Sequence, residues 1–166
     1  MSIKPGDAIP DVPVKKVTAD GISDASTADI LGQGKVVLFT VPGAFTPTCT
    51  INHLPGYVAA AEELRAAGAD AIVCAAANDQ HVVKAWAEAT GALGKVDFIA
   101  DGLARFAKAL GIDRDLSAGG LGIRYARAAL LIEDGTVKAV NLENAPGEVD
   151  ASSAQTMLAL LREGAA

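Results

Sequence analysis

The residue in this chain best placed to do chemistry is Cys49, in the stretch "VPGAFTPTCT" from Val41 to Thr50. A thiol reacts as its thiolate, and an ordinary cysteine, with a pKa of about 8.5, is mostly protonated at neutral pH. Cys49 lies where an apolar run, "KVVLFTV", gives way to an alanine-rich segment of helical periodicity. In the first turn of a helix, unpaired backbone N–H groups and the positive end of the helix dipole stabilise an anion. Lone cysteines are most often small buried hydrophobes. Cys74, between Val73 and Ala75 in an apolar strand, fits that description, whereas Cys49 is flanked by Pro47, Thr48 and Thr50.

Spacing narrows the chemistry. Asn52 stands three positions after Cys49, so there is no C-x-x-C pair for dithiol exchange. Two cysteines and two histidines, spread along the chain, lack zinc-ligand spacing, and no metal is expected. A cysteine protease needs a histidine base. His53, four residues on, and His81, at the start of a later helix, both stay open for that role, but nothing else marks an acyl-transfer site. His53 reads better as a structural or local hydrogen-bonding group. A thiolate attacking a small electrophile needs no protein base, and a peroxide fits. Attack on one peroxide oxygen calls for in-line approach and donors for the departing oxygen. The Thr46 hydroxyl and the helix-start N–H groups can supply them, while Pro42 and Pro47 shape a turn without N–H donors. The product is a cysteine sulfenic acid, which a second thiol must reduce.

The elements around these residues alternate. "VPVKKVTADGISDAS" predicts a hairpin turning at Asp20-Gly21. "KVVLFTV" and "DAIVCAAA" read as strands buried on both faces, and "KVDFIA" as a third strand. "HLPGYVAAAEELRAAGAD" is helical and stops at Gly68. Asn78-Asp79 can cap "QHVVKAWAEATGA", and Asp101 can cap "LARFAKALG" as far as Gly111. "RAALLIEDGTVKAVNLE" predicts two strands joined at Asp134-Gly135, and a last helix from about Ser152 buries Met157, Leu158 and Leu161. Strand-helix-strand units pair strands in parallel, and the late hairpin adds antiparallel ones. The expectation is an α/β fold: a central mixed sheet flanked by helices, with an N-terminal hairpin, as a single domain over residues 1–166.

With 166 residues, 51% of them apolar, the chain can build a core without disulfides or metals. The net charge of −6 and scattered basic residues argue against nucleic acid as a partner. "MSIKPGDAIP" does not read as a secretory signal, and no apolar run approaches the roughly 18 residues that span a bilayer. A reducing compartment is expected, most simply the cytoplasm.

"PGAFTPTC" resembles the peroxiredoxin active-site pattern: Pro42, Thr46 and Cys49 occupy its proline, threonine and cysteine. "VPGAFTPTCTINHLPGY" is similar to the type II subfamily. The resemblance continues through "VCAAANDQHVVKAWAEA", "KVDFIADGLARFAKALG" and "LGIRYARAALLIEDGTVKAVNLE", from about Gly6 to the last helix. It implies a thioredoxin-like fold with extra N-terminal elements and no cofactor. It implies that Cys49 is the peroxidatic cysteine, that Pro42 shields it and that Thr46 hydrogen-bonds peroxide. It further implies an arginine on the thiolate, matched to Arg124, with Arg127 the weaker candidate. Animal relatives of the atypical two-cysteine kind carry a late resolving cysteine, where this chain has Ala151 and Ser152. Cys74 is then mainly structural, and recycling falls to an external thiol, glutathione with glutaredoxin or thioredoxin. Ala128 replaces an aromatic found in many relatives. A homodimer is implied, with the loops around Phe45 and Asn78 as contacts. The enzyme reading competes with a redox-signalling module that relays oxidation to a partner, and with a holdase suggested only by the alanine-rich composition.

Overall fold

The computed structural model describes residues 2–145 and 147–164. In chain order the elements are β1 (Pro13–Thr18), β2 (Gly21–Ser26), α1 (Thr27–Leu31), β3 (Lys35–Val41), a π-helical turn (Cys49–His53), α2 (Leu54–Ala66), β4 (Ala71–Ala76), α3 (Gln80–Ala89), β5 (Asp97–Ala100), α4 (Arg105–Leu110), β6 (Asp113–Asp115), a 3-10 turn (Ser117–Gly119), β7 (Ile123–Tyr125), β8 (Ala128–Glu133), β9 (Thr136–Leu142) and α5 (Ala154–Gly164).

Seven strands form one sheet in the order β2-β1-β5-β4-β3-β8-β9. β3, β4 and β5 run parallel, while β8 pairs antiparallel with β3. This is the mixed sheet of a thioredoxin-like α/β fold. β3 lies inside it with both faces covered, which is why its sequence is nearly all apolar between Val36 and Val41. Val37, Phe39 and Val41 point into one core layer with α2, α3 and α5. Val36 and Leu38, one register away, point into the other layer with α1 and α4. The N-terminal hairpin pairs through β1 with β5. No helix among the described residues is long and apolar enough to cross a membrane.

Several local details depart from the sequence expectations. α1 follows β2 directly: Ser26 accepts from the Asp29 N–H and the Asp29 carboxylate accepts in return, a reciprocal cap that ends the strand. The short ribbon β6-β7 has no counterpart among the sequence expectations, because three-residue strands leave no alternating pattern to read. Of the expected Asn78-Asp79 cap, Asp79 caps α3 as expected, accepting from the His81 and Val82 N–H groups. Asp101 does serve α4, accepting from the N–H groups of Arg105, Phe106 and Ala107 at 2.9–3.1 Å and from the Tyr125 hydroxyl at 2.8 Å. The last helix starts at Ala154, two residues beyond the expected start.

Candidate active site

β3 delivers the chain to the site at Val41, and the loop after it is pinned at each step. The Pro42 carbonyl accepts from Arg124 Nη1 at 3.1 Å. The Ala44 N–H donates to Asn78 Oδ1 at 2.8 Å, and the Thr46 hydroxyl donates to the Gly43 carbonyl at 2.7 Å. Phe45, at the apex, has φ 61°, a left-handed conformation that costs a bulky residue energy, and the residue is 53% exposed. Gly43 leaves room for Arg124, since a Cβ there would displace its Nη1. The helical run then starts at Pro47, whose missing N–H costs nothing in a first turn.

Cys49 therefore stands in the first turn of a continuous run from 47 to 66, as the sequence suggested, but the turn it opens is π-helical. The Leu54 N–H reaches back five residues to the Cys49 carbonyl. Pro55 contributes to this: it has no N–H to give the preceding turn, so the ordinary ladder cannot continue through it. The Thr50 hydroxyl accepts from Trp86 Nε1 at 3.0 Å, which ties the turn to α3. Cys49 itself is completely buried.

The arginine on the sulfur is Arg127. Its Nη2 donates to Cys49 Sγ at 3.1 Å and its Nη1 donates to His53 Nδ1 at 2.8 Å. The expectation that Arg124 holds the thiolate is corrected. Arg124 lies on β7, where its Nε donates to the Leu121 carbonyl and its Nη1 to the Pro42 carbonyl. The two arginines are three positions apart, and the chain leaves β7 between them. Thr40 on β3 donates to the Ala126 carbonyl at 2.8 Å, fixing the backbone that presents Arg127 beside the start of the helix. Arg127 is 3% exposed, so its charge acts on the sulfur through little water.

His53, expected as a structural residue or local hydrogen-bond donor, donates to the Ser152 carbonyl and is also a partner of that arginine. Its Nε2 lies 3.0 Å from the Ser152 carbonyl, which can only accept, so Nε2 carries the proton and Nδ1 is free to accept from Arg127. Burial, reinforced by the Arg127 charge, lowers the His53 pKa from 6.5 to about 4 against the raising effect of the Ser152 bond, so the ring is neutral at neutral pH. Tyr57 gives its hydroxyl to the same Ser152 carbonyl at 2.7 Å and stacks on Phe39 with ring centres 3.8 Å apart. Burial raises the Tyr57 pKa well above its usual value, so the hydroxyl remains a donor. Ser152, at the place where animal relatives of the two-cysteine kind carry a resolving cysteine, is buried and donates through Oγ to Glu143 at 2.6 Å.

Cys74 lies on β4 opposite Phe39 of β3. It is fully buried, and burial together with the nearby Cys49 sulfur raises its pKa well above the usual value. Among the described residues, no group of three or more His, Cys, Asp and Glu side chains is placed to hold a metal ion.

The chain matches the redoxin family over residues 4–158. A rice protein named peroxiredoxin-2E-2, chloroplastic, is 45% identical over 96% of this chain and 73% of its own length. Peroxiredoxin-2D of Arabidopsis thaliana is 42% identical over 94% of this chain and 96% of its own. Among solved structures, reduced Prx3 of Vibrio vulnificus in complex with hydrogen peroxide superposes with a TM-score of 0.90 at 40% identity, over 98% of each chain.

Proposed function

We propose a mechanism that starts from the family, for this chain belongs to the redoxins and is a peroxiredoxin, a thiol-dependent peroxidase. Cys49 is the peroxidatic residue, and the substrates are hydrogen peroxide and alkyl hydroperoxides. The observation that carries this is the Arg127 guanidinium 3.1 Å from the buried Cys49 sulfur. The thiolate attacks the terminal peroxide oxygen. An S–O bond forms and the O–O bond breaks. Sulfur loses two electrons, and the departing oxygen takes a proton and leaves as water or an alcohol. Arg127 stabilises the negative charge as it moves from sulfur to oxygen. Thr46 and Pro42 form the rim, with the Thr46 hydroxyl bonded to Gly43 before substrate arrives and available to turn toward it. The Vibrio relative solved with hydrogen peroxide supports this choice of substrate.

The sulfenic acid on Cys49 then condenses with an external thiol, releasing water and leaving a mixed disulfide. A second thiol attacks that disulfide and restores Cys49. Glutathione with glutaredoxin, or thioredoxin, is the proposed donor, because Ser152 supplies no resolving thiol and Cys74 is buried and hard to ionise. The half-exposed Phe45 beside the site supports a homodimer contact there, and the two cysteines, both unpaired, suit a reducing compartment such as the cytoplasm. The test is peroxide consumption by purified protein with each thiol system supplied in turn. Turnover by wild type and none by Cys49→Ser is expected, and equal consumption by both would defeat the reading.

A further inference from the structure

Four residues around the site close into a ring of hydrogen bonds. The Arg127 carbonyl accepts from the Glu143 N–H at 3.0 Å. The Glu143 carboxylate accepts from the N–H groups of Asp150, Ala151 and Ser152 at 2.7, 3.3 and 2.7 Å and from Ser152 Oγ. The Ser152 carbonyl accepts from His53 Nε2, and His53 Nδ1 accepts from Arg127 Nη1. Each member is nearly or wholly buried: Arg127 3%, Glu143 8%, His53 1% and Ser152 0% exposed. Among the described residues no buried side-chain nitrogen or oxygen lacks a partner. A complete buried network of this kind holds one geometry, and a broken one is costly.

The ring has a direction. A guanidinium is planar, so fixing Nη1 fixes where Nη2 points. His53 holds Nη1 by presenting a lone pair at Nδ1, and that depends on Nε2–H being taken by Ser152. The Ser152 carbonyl is in place because the Glu143 carboxylate gathers the three N–H groups of the 150–152 turn. We propose that Glu143 and His53 are positioning residues, and that the ring they form through Ser152 aims Arg127 Nη2 at Cys49 Sγ. This rests on the peroxidase reading for its purpose, but the geometry can be tested without peroxide.

The test is performed in a Cys74→Ser background, so that Cys49 is the one thiol. Alkylation of the reduced protein by iodoacetamide is timed near neutral pH and in alkaline solution, with peroxide oxidation timed in parallel. Glutamine at 53 can donate to Ser152 and accept from Arg127, so His53→Gln is expected to stay within about threefold of the parent. His53→Leu and Glu143→Leu leave no acceptor or donor at those positions and break the ring, and misplacing a catalytic group by about an ångström costs on the order of 100-fold. For these two variants the neutral-to-alkaline ratio of alkylation rates is expected to fall about tenfold, and peroxide oxidation by about 10- to 100-fold. A variant that only loosened the fold would change both alkylation rates together and leave the ratio alone. Ser152→Ala keeps the carbonyl and removes one bond to Glu143, and a smaller drop in the ratio is expected. An unchanged ratio in His53→Leu or in Glu143→Leu overturns the proposal. If the ratio falls as expected while the parent fails to reduce peroxide, the ring stands and the peroxidase reading falls.

Discussion

Arg127 gives its two terminal nitrogens to different partners, Cys49 and His53, and a lysine has one nitrogen on a flexible stem in place of that rigid fork. Arg127→Lys is therefore expected to slow oxidation of Cys49 by peroxide about 100-fold, the scale set by losing one well-aimed donor at a developing charge. Arg124→Lys acts only through the Pro42 loop and is expected to cost no more than a few-fold, so stopped-flow rates on the two variants separate the arginines. The sequence could not separate them: both sit in "LGIRYAR", and which one faces the helix depends on where β7 stops. His53 adds a pH dependence. Folded His53 takes its proton only near pH 4, whereas the unfolded chain takes it near 6.5. Between those values the unfolded state binds more protons, so stability rises with pH and is lost as pH falls from 6.5 towards 4. Urea titrations across that window are expected to show a falling midpoint in wild type and a flatter one in His53→Gln.

At the scale of elements, the π-helical turn sets both the chemistry and its limits. It places Cys49 and His53 on the side that meets Arg127 while leaving the sulfur without exposed surface. A small peroxide needs only a side-chain opening, but a protein thiol cannot reach a fully buried sulfur. Residues 47–53 are therefore expected to exchange their amide hydrogens faster in the Cys49–glutathione adduct than in the reduced protein. Equal protection in both forms would count against this. α4 supplies a stability test away from the sulfur. Asp101→Ala would strand three N–H groups and the Tyr125 hydroxyl, which is expected to cost about 3 kcal/mol or more by chemical denaturation. Long elements were legible because periodicity and caps agree, as in "KVVLFTV" and in Asp101 before its helix. The π turn was not, because its signal is one missing N–H at Pro55, which reads equally well as an ordinary helix start.

For the whole molecule, the mixed sheet brings together residues remote in sequence: Cys49 after β3, Arg127 before β8, and Ser152 ahead of α5. The strand order was legible as a class, from strand-helix-strand units and the Asp134-Gly135 hairpin. The ring through Glu143 and Ser152 was not, since neither residue stands in a motif and their meeting is purely tertiary. The same architecture seals Cys74 in β4, so Cys74→Ser is expected to leave thiol-dependent turnover within about twofold of wild type, as for a residue outside the catalytic set. The most direct measurement is intact mass after one equivalent of hydrogen peroxide with a sulfenic-acid trap present, on wild type, Cys49→Ser and Cys74→Ser. A single trap adduct on Cys49, retained in Cys74→Ser and absent in Cys49→Ser, is the expected result. An unmodified Cys49, or an adduct that survives its replacement, would contradict the assignment of Cys49 as the peroxide-reducing sulfur.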